Sequence, residues 1–223
     1  MEVPSVSTAL VAIARLTLRR VVRGRGLWLA IAFGALPLVY ASMSAGKHRA
    51  EDELLGIEML VLCVTQPLLV AASIGEEIED RTTTYLWSRP LPRWTVLVGK
   101  LVALAPIGAA LSVVSMIAAY RLEYDVTVPA LNAGALAIGA IAIGAIVAGI
   151  ATFVPKHGMA LAIVYLTTDL VVGNIHWSLQ EISITHHVVW FFWHQPLGSA
   201  IALAIIPGVW LALGLVRVRR LEA

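Results

Sequence analysis

Apolar residues in this chain fall in long blocks and do not alternate with polar ones. Six blocks stand out, at 26–43, 54–74, 95–120, 130–154, 159–175 and 197–216. A block of about 20 apolar residues is what a helix needs to cross a hydrocarbon core about 30 Å thick. Inside lipid the backbone must satisfy its own hydrogen bonds, which turns such blocks into helices. The alternating ten-residue strands of an outer-membrane barrel are missing from the sequence. The pattern predicts an all-α membrane protein, a single transmembrane domain over 1–223 with six transmembrane helices.

Two segments carry a different pattern. Over 5–25, Arg15, Arg19 and Arg23 recur on one helical face while Leu10, Ile13, Leu18 and Val21 point largely the other way. This predicts an amphipathic helix lying in the membrane interface, its arginines near anionic headgroups. A cytoplasmic extension of the first span is the alternative. Five arginines between Arg15 and Arg25 precede the first block, and no small-residue cleavage site follows closely, so the first span is expected to be retained. Residues 176–196 are less apolar and rich in aromatics. They fit a loop, an interfacial helix or a re-entrant segment before the last helix. Trp177, Trp190 and Trp193 suit the headgroup layer.

Composition agrees with the blocks. Of the 223 residues 59% are hydrophobic and 13% charged, against about 25% charged in a soluble domain. That leaves too few polar side chains to cover a water-facing surface. The single cysteine, Cys63, permits neither an internal disulfide nor a cysteine-based metal site.

The placement of basic residues sets the predicted orientation. With six spans and the N-terminus inside, the inside segments hold Arg15, Arg19, Arg20, Arg23, Arg25, Arg81, Arg89, Arg93, Lys100, Lys156, Arg217, Arg219 and Arg220. The outside segments hold only Lys47, Arg49 and Arg121, which completes the 16 basic residues. The expected location is the cytoplasmic (inner or plasma) membrane with both termini cytoplasmic. The fourth block is rich in small residues at four-residue spacing, as in Ala135 and Gly139 or Ala140 and Gly144, which predicts close helix packing within the chain. Gly134, Gly139, Gly144 and Gly149 repeat every five residues, so they rotate around the helix and define no single seam.

The most informative stretch is 75–94, predicted to be cytoplasmic. Glu76, Glu77, Glu79 and Asp80 place four acids where basic residues usually dominate. Thr82, Thr83 and Thr84 are good capping types. Tyr85, Leu86 and Trp87 follow. Pro90 and Pro92, in Arg89-Pro90-Leu91-Pro92-Arg93, break the helix because proline lacks a donor and disfavours helix just before it. The residues describe a short helix held between two spans, displaying acids, aromatics and arginines to a partner.

The run Glu77-Ile78-Glu79-Asp80-Arg81-Thr82, then Tyr85-Leu86, Arg89-Pro90-Leu91-Pro92-Arg93 and Gly99-Lys100 resembles the signature of ABC-2 type transporter permeases. The resemblance extends to the layout of interfacial helix, six spans and hydrophobic segment before the last. It departs at Arg81-Thr82, where Gly-Thr is common. It implies the permease subunit of an exporter, paired as a homodimer or heterodimer and bound to two ATP-hydrolysing subunits. ATP and Mg would be used by that partner ATPase, with no cofactor in this chain. Glu76, Glu77, Glu79, Asp80, Arg81, Thr82, Tyr85, Leu86, Arg89, Pro90 and Arg93 would form the ATPase-coupling surface. Membrane lipid is an expected contact and nucleic acid is not. The sequence lacks the G-x-x-x-x-G-K-[ST] phosphate loop, so an enzymatic role is not expected. A membrane anchor or scaffold for a cytoplasmic partner is the alternative function.

Other chemistry is thin. Asp169, beside Thr168 in the fifth block, reads as a pathway or gate contact or as a hydrogen-bonded structural acid. Glu58, about 6 Å into its block by helix rise, reads as an acid reaching the outer interface, with a pathway contact as the alternative. His48, His176, His186, His187 and His194 fall outside, at spacings that match no standard metal site. Ser178 and Ser183 lie near these histidines without a defined nucleophile–base pair.

Overall fold

The structure is a computed structural model and describes residues 5–44, 51–79, 94–175 and 178–220, the side chains of 76–79 and 220 excepted. Among the described residues every regular element is helical. They are α1 (Val6–Arg23), α2 (Arg25–Gly34), α3 (Leu36–Ser44), α4 (Glu51–Gln66), a π-turn (Pro67–Ala71), α5 (Ala72–Glu79), α6 (Trp94–Tyr124) and α7 (Ala130–Phe153). A 3₁₀ turn (Pro155–His157), α8 (Gly158–Gly173), a second 3₁₀ turn (Ser178–Ile182), α9 (Ile184–His194) and α10 (Leu197–Arg220) complete them.

Five stretches are long and apolar enough to cross a membrane: Arg25–Ser44, Glu51–Gly75, Trp94–Tyr124, Ala130–Phe153 and Leu197–Arg219. The fifth apolar block folds as α8, whose 16 residues are shorter than any of these. Prolines shape the helices. Pro37, one position into α3, cannot donate a backbone hydrogen bond, and the helix breaks at Ala35. Pro67 starts the π-turn, which lets the second crossing stretch continue past a missing donor.

Helix α7 is the core of the bundle. It packs on α10, α6 and α9 and carries most of its residues buried. Its glycines explain how. A Cβ on Gly139 would lie 2.5 Å from Val188 of α9, one on Gly144 3.0 Å from Ala105 of α6, and one on Gly149 2.5 Å from the Trp210 carbonyl of α10. Each step of five residues turns about 140°, so successive glycines admit different neighbours. Gly134 meets nothing within 4 Å.

Helix α1 starts at an N-cap, Ser5, whose hydroxyl accepts from the Thr8 amide at 3.3 Å. It lies against α6. Ala9 and Thr17 are buried, Leu10, Ile13 and Val21 half-buried, and Arg15, Arg19 and Arg23 exposed. Leu18 also stays exposed, together with Val11 and Val22.

Candidate functional site

The residues flanking the predicted coupling segment are tightly tied. A Cβ on Gly99 would stand 2.9 Å from Ile13 Cγ2, so only glycine lets α1 approach α6 there. Lys100, 2% exposed, donates from Nζ to the Ser73 carbonyl and thereby links the start of α6 to the end of the second crossing stretch. A Cβ on Gly75 would lie 2.7 Å from the Pro155 carbonyl oxygen, which brings the 155–157 turn against α5. Both ends of the 76–93 stretch are therefore fastened to other elements. Asp80, Arg81, Thr82, Tyr85, Leu86, Arg89, Pro90 and Arg93 lie outside the described residues, as do the side chains of Glu76, Glu77 and Glu79. Lys100→Met is expected to lower stability by about 2 kcal/mol, the scale of one charged hydrogen bond. Hydrogen exchange checks this: the amides of 72–75 should exchange faster while those of α7 do not.

Asp169 is buried, and four donors are aimed at its carboxylate. The Ile184 amide donates to Oδ1 at 3.2 Å; the Thr185 amide at 2.9 Å and the Thr185 hydroxyl at 2.8 Å donate to Oδ2, with Ser183 Oγ 3.0 Å from the same oxygen. Ser183 in turn N-caps α9 by accepting from the His186 amide at 3.1 Å. A carboxylate at a helix N-terminus satisfies orphan amides and meets the positive end of the helix dipole. Asp169 thus fastens α9 to α8. Gly173 makes room for this: a Cβ there would lie 2.7 Å from Ser183 Oγ. Thr168 is exposed and does not share the cluster. These hydrogen bonds are the ones a structural acid makes.

Glu58 does not reach an interface. It is 0% exposed, enclosed by protein, because α4 begins at Glu51 and buries this face against α6. The hydroxyls of Ser112 and Ser115 stand beside it, yet neither carboxylate oxygen has a hydrogen-bond partner, and Ser115 Oγ has none either. Gln66, two turns further along α4, is also fully buried with both amide atoms unpartnered. Its amide fills the space left by Gly108 of α6 and Gly144 of α7. These polar partners escape a hydropathy reading, although Ser112 and Ser115 are spaced to share a helical face.

Helix α9 ends at Gln195, in left-handed backbone (φ 50°), and Pro196 leads into α10. It packs on α7, α8 and α10 and buries Ile184, Val188 and Phe192. A cavity of about 870 Å³ opens beside it, with Asn174, Glu181, His186, Trp190 and Ser199 among its walls. His187 Nε2 donates to the Glu181 carbonyl at 2.9 Å, which puts a proton on that nitrogen, and Nδ1 lies 3.2 Å from Ser199 Oγ. Burial, followed by the neighbouring His187, lowers the His186 pKa from its ordinary value. Trp190 stacks between His186 and His194, with centroids 6.0 and 4.1 Å away. Among the described residues no group of three His, Cys, Asp or Glu side chains is placed to hold a metal ion. His48, His176 and Trp177 lie outside the described residues.

The apolar helices define a multi-pass helical membrane protein. No protein-family model and no curated protein matches the chain.

Proposed function

We propose that the chain is the transmembrane subunit of an ABC-2 type transporter, dimerising and coupling to a separate ATP-hydrolysing subunit to export a substrate. The observation that carries this is the order of residue types from Glu77 to Lys100. An acidic run, a capping and aromatic stretch, a proline-broken turn with Arg93 and a Gly-Lys pair stand between the second and third apolar blocks. Gly99 and Lys100 support the reading with a physical reason for their types. One admits α1 and the other grips Ser73. A partner pulling on 76–93 would therefore move α1, α5 and α6 together, as a lever requires.

In this reading α8, extended by the turns at 155–157 and 174–175, is the fifth of six spans, α9 belongs to a re-entrant segment and α10 is the last span. Contacts of Gly99 with Ile13, Lys100 with Ser73 and Gly75 with Pro155 gather one end of the bundle. Elements meeting there carry Arg15, Arg19, Arg20, Arg23, Arg25, Lys100 and Lys156. At the opposite end, where Tyr120 donates to Glu51 and Tyr40 to Glu53, Arg121 is the basic residue among those described. That asymmetry supports the basic end as cytoplasmic.

Charge reversal at Glu77, Glu79 and Asp80 together tests the reading. It is expected to abolish both ATPase capture and transport while leaving membrane insertion unchanged. Capture and transport at wild-type levels would remove the coupling assignment.

A further inference from the structure

Glu58 poses a charge problem that the ATPase reading does not address. An ionised carboxylate enclosed in protein must find donors or an opposite charge, or become neutral. Glu58 is 0% exposed, and neither oxygen has a partner at full hydrogen-bond geometry; the Ser112 and Ser115 hydroxyls beside it offer neutral donors but no opposite charge. Among the described residues, opposite charge is missing from each element packed on α4. Helix α7 contains no titratable residue. On α2, Arg25 is at the far end, level with the Leu68–Ser73 wall of α5 and the π-turn. On α3, Tyr40 donates to Glu53. On α8, Tyr165 is uncharged and Asp169 is engaged by α9. On α6, Lys100 grips Ser73 about 22 Å from Ser115 by helix rise, and Arg121 is exposed. Tyr120 donates to Glu51, Tyr124 packs on Tyr120, and Glu123 is a further buried acid with unpartnered oxygens. Glu51, Asp52 and Glu53 on α4 itself are acids and Cys63 is an uncharged thiol.

The neutralising species must also fit. A hard cation such as calcium or magnesium takes six or more oxygen ligands, waters included, and zinc takes four Cys, His or carboxylate ligands. Glu58 offers one carboxyl and two hydroxyls in closed packing. A proton needs a single lone pair and no volume.

We propose that Glu58 is a proton-binding site within the bundle. In this packed arrangement its carboxyl carries the proton. When the α4–α6 interface opens, the O–H bond breaks, the electron pair stays on the carboxylate and the proton passes to entering water. Ser112 and Ser115 then turn their hydroxyl hydrogens to the ionised group. The unpartnered Ser115 Oγ is available for that turn. The inference stands whether or not the chain recruits an ATPase, and it makes the conformational change of the bundle proton-linked.

Infrared spectroscopy of the full chain at neutral pH, in ester-free detergent, tests this. Wild type should show the stretching band of a neutral carboxyl, and Glu58→Gln should remove one carboxyl's amplitude from it. Identical spectra would overturn the proposal. If Glu58→Gln does not fold, wild-type labelling with dicyclohexylcarbodiimide decides, since this apolar reagent modifies protonated buried carboxyls. Glu58 modified to the same extent with and without sodium supports the proton. An unmodified Glu58, or protection by sodium at fixed pH, overturns it.

Discussion

Asp169→Ala is expected to destabilise the protein by about 3 kcal/mol, the lower end of what breaking a buried charged network costs. The truncation leaves the Ile184 and Thr185 amides and the Thr185 hydroxyl without their acceptor, all of them buried at the start of α9. Asp169→Asn keeps one acceptor oxygen but loses the charge that meets the helix dipole, so about 1 kcal/mol is expected. Unfolding in detergent gives the magnitudes. Hydrogen exchange gives the location, because the α9 amides should lose protection before those of α7. Wild-type stability of Asp169→Ala combined with lost transport would show that Asp169 contacts substrate instead.

Gly149→Val is the second large effect, at about 3 kcal/mol, the upper end of overpacking costs. The added Cβ would meet the Trp210 carbonyl oxygen at 2.5 Å and its carbon at 2.9 Å, and backbone cannot swing aside as a flexible side chain can. Gly214 on α10 faces the same crossing, with a built Cβ 3.1 Å from the Gly149 Cα. The helices must separate, which exposes the most extensively packed pair of the bundle. Two other glycines calibrate the result. Gly134→Ala meets open space and should be silent. Gly108→Ala meets the end of the Gln66 amide and should cost less than Gly149→Val. Equal losses at all three positions would mean that helix crossing does not set these glycines.

Much of the architecture is legible in the sequence because hydrocarbon imposes length and composition together. The blocks at 26–43, 54–74, 95–120, 130–154 and 197–216 correspond to helices long and apolar enough to cross a membrane. Breaks inside a block are harder to read, since the Pro67 π-turn and the helix boundary at Ala35 leave hydropathy unchanged. Side-chain roles are harder still. Asp169 is plainly unusual in the sequence, but its donors come from 14 to 16 residues away, across a turn that hydropathy cannot align. The helical start at Ser183 held the clue, as a capping type before an apolar run. Glu58 stands only four residues past Leu54, the first residue of its apolar block, which makes it shallow by hydropathy. Its environment is decided by α6, whose Ser112 and Ser115 are visible only as two small polar residues in an apolar block. The coupling surface, in contrast, rests on residue order alone.

The most direct test of the coupling account is to purify the tagged full-length chain from its native membrane and identify what accompanies it. The account predicts a separate ATPase carrying a phosphate loop, in equal number with this chain and lost on charge reversal at Glu77, Glu79 and Asp80. A chain that purifies without an ATPase, or with a cytoplasmic partner that hydrolyses no nucleotide, would contradict it and leave the membrane scaffold as its role.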